Sequence, residues 1–228
     1  MLASEAMAGS TRGFVLRHTR LMPVPGLEAI RLHLAREVLP LWRAVQVETG
    51  DADTALPYWA FAWAGGLAVA RYLADQADVV ASRRVFDLGS GSGLCAIAAM
   101  GSGAAGATAV DIDPLAVAAI ELNARANGCR LTALRRDVLD NDEPPAADVI
   151  LAADTWYEAA LADRVLPWLR RARASGIEVL VGDPGRRYLP TSNLVELAAY
   201  DVRTTTEVED ADLKVGRVYA LADPADQQ

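Results

Sequence analysis

From residue 84 onward the chain alternates between short apolar runs, rich in β-branched residues, and longer alanine-rich stretches. The short runs predict strands over residues 84–88, 108–111, 131–135, 148–152 and 178–182. The longer stretches show the apolar spacing of helices at about residues 93–101, 114–127 and 158–173. Because strands that alternate with helices pair in parallel through crossover connections, this pattern predicts an α/β fold.

After Tyr200 the pattern changes to two β-rich runs, at residues 201–207 and 216–221. A polar segment, residues 209–214, separates the two runs. Two such runs around a polar connection predict an antiparallel hairpin at the end of a mostly parallel sheet.

The first 56 residues follow a different pattern. Residues 1–26 lack periodicity and contain two prolines, so we expect a loose arm there. Residues 27–42 predict a helix with a kink at Pro40, because apolar side chains recur at helical spacing at Leu27, Ile30, Leu34, Val38 and Leu41. We expect His33, beside this stripe, to be a packing or surface residue. The chain is thus divided into an N-terminal arm and helix, residues 1–56, and a main domain, residues 57–228.

The composition is that of a globular protein with one large core. Of the 228 residues, 52% are hydrophobic, and 22 basic against 30 acidic residues give a net charge of -8. A protein that neutralises several phosphates usually presents a basic face, so this acidity argues against nucleic-acid binding. No stretch approaches the roughly 20 apolar residues of a membrane span, and we expect no membrane partner.

Cys95 and Cys129 match no metal-ligand spacing, and we expect two free thiols, no metal and a reducing compartment. Only Lys214 among the 22 basic residues is a lysine, a bias that favours a bacterial genome and a cytoplasmic protein. Residues 4–20 hold three arginines and a single acid, Glu5, so a mitochondrial transit peptide is the alternative.

The strongest local motif is residues 85–94, VFDLGSGSGL. A predicted strand carries Asp87 near its end, and Gly89, Gly91 and Gly93 then allow the backbone to turn tightly and approach a ligand. The helix that follows presents free N–H groups at its start. Such a loop alone also fits dinucleotide binding. Gly91, Gly93 and Ala96 match the G-x-G-x-x-G/A pattern of dinucleotide-binding loops, in which the third glycine can be an alanine.

The acidic residues around the loop distinguish the two ligands. Asp111 ends the second strand of the main domain, where a carboxylate accepts both hydroxyls of a ribose. Asp137 follows the third strand, a place suited to an adenine amino group. Asp87 would repel a pyrophosphate but attract a sulfonium with an amino-acid tail. The set favours S-adenosylmethionine over a nicotinamide dinucleotide.

With these motifs the chain resembles the class I, seven-stranded S-adenosylmethionine-dependent methyltransferases, which have a Rossmann-like fold. The resemblance implies a cofactor site made of Trp63, Asp87, Gly89, Ser90, Gly91, Gly93, Asp111, Ile112, Asp137, Val138 and Ala153. The spacing Asp154-x-x-Tyr157 looks like the signature of protein lysine methyltransferases that act on non-histone targets.

Two further segments are similar to one branch of that family, the lysine methyltransferases of the electron transfer flavoprotein β subunit and their bacterial counterparts. Residues 57–73, PYWAFAWAGGLAVARYL, are the more discriminating, and residues 17–42 also match. The resemblance covers about residues 14–222. It implies a protein substrate, with the electron transfer flavoprotein β subunit first and a ribosomal protein second.

Several of these residues also have a purely structural interpretation. Trp59 and Trp63 are four positions apart and could be core aromatics, and Tyr157 could simply begin a helix. Asp154 is different, because a carboxylate that closes a buried apolar strand has no evident structural role. Asp183 precedes Pro-Gly, an ordinary turn sequence, and we expect it to be structural. Beyond His33 the main domain has no histidine, which excludes a Cys/His or Ser/His/Asp nucleophilic site there.

The implied reaction is an in-line attack of an amine nitrogen on the sulfonium methyl. A free lysine has a pKa of about 10.4, so forming the neutral amine at pH 7 costs about 4.6 kcal/mol. We expect Asp154 to attract the charged lysine and orient its amine, and Tyr157 to shape the channel. A carboxylate is a poor general base for ammonium. The alternatives are a small-molecule amine (nicotinamide-like) N-methyltransferase and an inactive, cofactor-binding partner subunit.

Overall fold

The computed structural model describes residues 11–140, 143–204 and 213–222. Its first elements are helix α1 over residues 11–18, strands β1 (Arg20–Val24) and β2 (Leu27–Leu34), and helix α2 (Val38–Thr49). β1 and β2 pair antiparallel as a separate two-stranded sheet. The prediction of a helix was therefore wrong for residues 27–34, and that of a loose arm was wrong for residues 11–24. Residues 1–10 lie outside the described part of the chain.

A proline–glycine turn explains the first of these differences. Pro25 and Gly26 connect β1 to β2, and Gly26 has a φ of +76°, the left-handed conformation that the third residue of a type II turn requires. Leu32 and Leu34 are buried on one face of β2, with His33 more exposed between them. That period of two is the period of a strand. The helical spacing of Leu27 and Ile30 is therefore coincidental.

The first α-helix of the main domain is α3 (Ala64–Asp75), and the domain is built on a seven-stranded sheet. Its strands are β3 (Arg84–Leu88), β4 (Gly106–Asp111), β5 (Thr132–Arg135), β6 (Val149–Ala153), β7 (Glu178–Asp183), β8 (Leu194–Arg203) and β9 (Leu213–Leu221). The strand order is β5-β4-β3-β6-β7-β9-β8. The first five of these strands are parallel, and β9 pairs antiparallel with both β7 and β8.

The crossover helices are α4 (Leu94–Gly101), α5 (Pro114–Ala126) and α6 (Ala159–Ala174). The predicted fold class, a Rossmann-like, seven-stranded, mostly parallel sheet with flanking helices and a terminal hairpin, is confirmed. β8 begins at Leu194 rather than at residue 201, and residues 205–212 lie outside the described part. No helix in the described ranges combines the length and the apolar composition that a membrane span needs.

Side chains alternate between the two faces of the sheet. Along β6, Val149 and Leu151 pack with α3 and α4, whereas Ile150 and Ala152 pack with Trp168 and the other buried side chains of α6. A third apolar cluster joins α1 and α2 to α5, and Trp59 is its largest side chain. The N-terminal elements are therefore packed against the helix that follows β4.

Two asparagine side chains, one in α5 and one directly after it, hydrogen bond to the backbone of β2. The Asn127 side chain accepts from the Arg31 N–H (2.9 Å) and donates to the Arg31 carbonyl (2.7 Å). Asn123, fully buried, accepts from the His33 N–H (2.7 Å) and donates to the Ser92 carbonyl (2.8 Å). Asn123 thus connects the N-terminal hairpin to the glycine loop.

α3 approaches the sheet so closely that only glycines fit between them. A Cβ on Gly182 of β7 would lie 2.5 Å from the Gly65 carbonyl oxygen and 2.5 Å from Val69 Cγ2. A Cβ on Gly65 or on Gly216 would also collide with the backbone of the facing element. Because the obstacles are mainly backbone atoms, the structure has little freedom to relax around an added methyl group.

We expect Gly182→Ala to destabilise the protein by about 3 kcal/mol, as overpacking in a close-packed core does. Urea denaturation followed by circular dichroism measures the change. Gly106→Ala is the matched control, because Gly106 also lies in a strand but has open space around its Cβ position. We expect that change to stay within about 0.5 kcal/mol. Equal stability of the two variants would contradict the close approach of α3.

Candidate active site

The loop after β3 places three glycines in the left-handed conformation. Gly89, Gly91 and Gly93 have φ values of +62°, +54° and +84°. A Cβ on Gly91 would lie 3.7 Å from Trp59 Cα, whereas a Cβ on Gly93 would lie 3.4 Å from Ile120 of α5. L-residues with side chains rarely adopt these φ values, which explains the glycine spacing of the motif. The loop leads directly into α4, because Gly93 is the residue that precedes its first turn.

Asp87 lies beneath this loop and is 2% exposed. Its Oδ2 accepts from the Ser90 hydroxyl (2.5 Å) and from the Ala96 N–H at the start of α4 (3.1 Å). Burial raises the pKa of Asp87 to about 7, against the opposing effect of these two hydrogen bonds. A cation near this carboxylate would favour its charged form.

Asp111, the last residue of β4, holds the loop from the neighbouring strand. Its Oδ2 accepts from the Gly91 N–H (2.9 Å) and its Oδ1 from the Asp113 N–H (3.0 Å). Burial raises the pKa of Asp111, and its backbone hydrogen bonds oppose the shift. Each oxygen of a carboxylate accepts two hydrogen bonds, so Asp111 retains acceptor capacity for ligand hydroxyls.

One cavity of about 300 Å³ lies at this edge of the sheet and brings most of the predicted site residues together. The predicted residues that line it are Trp63, Asp87, Gly89, Ser90, Gly91, Asp111, Ile112, Asp137, Val138, Ala153, Asp154 and Tyr157. Gly93 does not line it, because it lies behind the loop against Ile120. A glycine is needed at position 93 for the positive φ of the turn and for the close packing against α5.

Asp137 lies at the rim of the cavity. One oxygen of its carboxylate accepts from the Leu139 N–H (3.1 Å), and the other pairs with Arg164 of α6 (2.9 Å). Arg164 also pairs with Asp140 (2.7 Å). Asp137 is therefore paired with α6, and its predicted contact with adenine stays a prediction.

Asp154, directly after β6, has a structural role that its sequence position did not reveal. Its φ is +57°, and its two oxygens accept from the N–H groups of Gly65 (3.0 Å) and Gly66 (2.6 Å) in the first turn of α3. It also pairs with Arg186 Nη1 (2.5 Å). The expectation that this carboxylate has no structural role was wrong, because it binds the unsatisfied N–H groups of a helix start.

Burial raises the pKa of Asp154 to about 6, while the charge and hydrogen bond of Arg186 oppose the shift. Arg186 follows the Asp183-Pro-Gly turn after β7 and also pairs with Asp183 (3.1 Å). Asp183 is fully buried and accepts from the N–H groups of Gly185 (2.7 Å) and Arg186 (2.6 Å). Asp183 thus builds the turn, as predicted, and in addition positions Arg186.

Aromatic side chains form the outer wall of the cavity. The Tyr58 ring lies 5.1 Å from the Tyr157 ring and 5.5 Å from the Trp63 ring, between centroids. Trp63 Nε1 donates to the Tyr58 carbonyl (2.8 Å), and Arg186 Cζ lies 6.0 Å from the Trp63 ring. Burial raises the pKa of Tyr157 to about 12, so its hydroxyl stays protonated at neutral pH.

Tyr58 and Arg186 were not predicted as site residues. The sequence held a signal for each of them: Tyr58 lies within the discriminating segment 57–73, and Arg186 comes shortly after a predicted strand. Their roles depend on contacts between distant parts of the chain. Trp59 is buried in the third apolar cluster with Phe14 and Leu41 and also lines the cavity.

The cavity fits S-adenosylmethionine. The glycine loop leaves space where a side chain would stand, and carboxylates lie where a ribose and a cationic tail would bind. Trp59 and Thr155 are among the residues that line the cavity.

Comparison with known proteins is consistent with this site. Residues 71–154 match the family model of ribosomal protein L11 methyltransferase (PrmA). Among solved structures, a Pyrococcus horikoshii protein described as a candidate RNA methyltransferase superposes with a TM-score of 0.57 at 12% identity, over 80% of this chain and 98% of that one. That likeness is one of fold.

Curated relatives are more similar over more of the chain. The electron transfer flavoprotein β-subunit lysine methyltransferase of Xenopus laevis is 36% identical over 215 residues, 92% of this chain and 86% of the relative. The human protein of the same name is 38% identical over 72% of this chain and 65% of its own length. The ribosomal protein L11 methyltransferase of Symbiobacterium thermophilum is 35% identical over 50% of this chain and 38% of its own length. The chain therefore belongs to the family of electron transfer flavoprotein β-subunit lysine methyltransferases and is an S-adenosylmethionine-dependent methyltransferase.

Proposed function

We propose that this protein transfers methyl groups from S-adenosylmethionine to lysine side chains of the electron transfer flavoprotein β subunit. The observation that carries the proposal is the 36% identity to the Xenopus laevis enzyme over 92% of the chain. That alignment is long enough to include the N-terminal elements as well as the glycine loop. The site has the carboxylates for a cationic cofactor and an aromatic wall for a lysine side chain.

The cofactor-binding roles follow from the position of each group. Asp111 would accept the ribose hydroxyls, and the loop from Gly89 to Gly93 would bring backbone close to the amino-acid end. Asp87 lies under that loop and would balance the positive charge. The cofactor, when bound, supplies an electrophilic methyl group on a sulfonium.

The protein must then make a lysine amine neutral and align it. A sulfonium in a partly dry pocket lowers the pKa of a neighbouring amine, because two positive charges repel each other. Alignment of nitrogen, methyl carbon and sulfur supplies several kcal/mol more without any acid or base. Asp154 and Tyr157 are the residues that we propose for this task.

The contacts of Asp154 refine its predicted role. Its oxygens already accept from two backbone N–H groups and from Arg186, so it is not a free anion that waits for ammonium. Oδ2 has one contact, to Gly66, and retains capacity for one more hydrogen bond. We propose that a neutral amine donates to this oxygen, which points the nitrogen lone pair at the methyl group. Tyr157, with Tyr58, would line the channel.

Exposure of the aromatic wall favours a protein substrate over a small amine. Tyr157 is 39% exposed and Leu56, on the cavity wall, is 36% exposed. A site for nicotinamide would bury most of its ligand, whereas an extended lysine side chain can enter from a protein surface. A ribosomal substrate has weaker support, because the L11 methyltransferase relative aligns over only half of this chain.

The cellular location is part of the proposal. The near-absence of lysine, with Lys214 as the single one, supports a bacterial cytoplasm as the place of this reaction. The arginine-containing residues 4–20 leave a mitochondrial matrix as the alternative.

Tritium-labelled S-adenosylmethionine tests the substrate. The protein is incubated in separate reactions with purified electron transfer flavoprotein, with purified ribosomes and with nicotinamide. We expect label in the flavoprotein β subunit alone and, by mass spectrometry, on its lysines. Label that enters a ribosomal protein or nicotinamide instead would overturn the proposal, as would no label in any reaction. Gly91→Val is the cofactor-deficient control, since a branched side chain at φ +54° cannot be accommodated without strain.

The affinity for S-adenosylmethionine should depend on pH through Asp87. With a pKa of about 7, Asp87 is largely protonated at pH 6 and charged at pH 8. A cationic ligand lowers that pKa, so binding releases a proton below pH 7 and the affinity rises with pH. We expect the dissociation constant to fall about tenfold from pH 6 to pH 8 and then level off.

Calorimetric titration at several pH values measures this change. Asp87→Asn is the matched control, because it preserves the side-chain volume and cannot titrate. We expect weaker binding that no longer varies with pH in that variant. A wild-type affinity that is constant from pH 6 to pH 8 would show that Asp87 does not respond to the cofactor charge.

A further inference from the structure

Arg186 brings a positive charge into the cavity beside the residue proposed to hold the substrate amine. Its Nη1 lies 2.5 Å from Asp154 Oδ1 and 3.1 Å from Asp183 Oδ2. The side chains of Arg186 and Asp154 are 18% and 13% exposed, and that of Asp183 is fully buried. A pair so shielded from water interacts more strongly than a surface pair does.

The backbone around Arg186 is fixed as firmly as its side chain. Asp183 accepts from the N–H groups of Gly185 and Arg186, so the turn and the guanidinium are held by one carboxylate. The guanidinium also lies near the Trp63 ring, with 6.0 Å from Cζ to the centroid. Arg186 is thus held in a defined position within the site.

This arrangement has a consequence for a lysine that enters the cavity. An unpaired carboxylate beside the methyl group would bind lysine as an ammonium ion and favour its protonated form. The protonated form has no lone pair and cannot attack. A carboxylate that is already paired with a guanidinium has less to gain from an ammonium and can accept a hydrogen bond from a neutral amine.

We propose that Arg186 is a positioning residue for methyl transfer, which keeps Asp154 paired so that the substrate lysine binds as a neutral amine. This inference rests on the proposed function. The lysine ammonium loses one proton to water on entry. The N–CH3 bond then forms as the S–CH3 bond breaks, the bonding pair stays on sulfur as a neutral thioether, and the positive charge passes to the methylated nitrogen.

Other titratable groups face this pair and bear on any pH profile. Asp183 is the second carboxylate that pairs with Arg186. The Tyr58 hydroxyl also faces Arg186, and the Cys95 thiol of α4 faces Asp154. Burial raises the pKa of Tyr58 and of Cys95, so both stay neutral near pH 7. Glu158 and Tyr157 lie next to Tyr58, and Tyr157 is also protonated there.

Arg186→Gln tests the inference, with Arg187→Gln as the matched control. Arg187 is the next residue but lies over Tyr188 (5.7 Å), outside the cavity lining. The turnover number and KM for the flavoprotein β subunit are measured from pH 6 to pH 9.5, beside cofactor-induced thermal stabilisation. Arg186→Lys, which retains the charge, is the rescue variant.

For Arg186→Gln we expect the acidic limb of the turnover profile to move up by about one pH unit. Turnover then falls about tenfold at pH 7 and recovers by pH 9, while cofactor stabilisation and KM stay within about twofold. Arg186→Lys should restore most of the profile, and Arg187→Gln should match the wild type.

Three outcomes would overturn the inference. An unchanged profile would show no role, and an equal loss of turnover at every pH would show a purely structural one. A lower KM with faster turnover would show that Arg186 blocks the place of the lysine and must leave it. If the wild type labels no protein, the proposed function itself fails; if it does and the Arg186→Gln profile does not move, only this inference fails.

Discussion

The interaction on which the site depends is the set of contacts around the Asp154 carboxylate. This residue directly follows the central strand β6, and its oxygens contact the first turn of α3 and the arginine that follows β7. The left-handed backbone of Asp154 costs about 1 kcal/mol or more, which the two hydrogen bonds to a helix N-terminus offset. Trp63 precedes that helix turn, so the same contacts place the aromatic wall.

Three acidic residues of the chain are brought together at one edge of the sheet. Asp87, Asp111 and Asp154 lie at or just beyond the carboxyl ends of β3, β4 and β6, and all three line one cavity. Burial raises the pKa of each carboxylate, which means that the folded protein holds them at a cost at neutral pH. A cationic cofactor relieves that cost at Asp87, and Arg186 relieves part of it at Asp154.

The parallel sheet, the glycine loop and the acidic residues were predictable because each has a local signal. Mostly apolar strands of four to six residues and three glycines at alternate positions are recognisable in the sequence without any knowledge of long-range contacts. The β1–β2 hairpin was not predicted, because Leu27, Ile30 and Leu34 have helical spacing whereas Ile30, Leu32 and Leu34 have strand spacing. The Pro25-Gly26 turn decides between the two patterns. Arg186 could not be assigned, because its role arises only where the turn after β7 meets the end of β6.

The most direct test of the account is the effect of Asp154→Asn on two quantities in the same preparation, the dissociation constant for S-adenosylmethionine and the turnover number with the flavoprotein β subunit. Asparagine accepts a left-handed backbone and has nearly the same volume, but it cannot accept from two N–H groups and a guanidinium at once. We expect turnover to fall at least about 100-fold, with cofactor affinity within a few-fold of the wild type. Wild-type turnover in that variant would contradict the proposed role of Asp154.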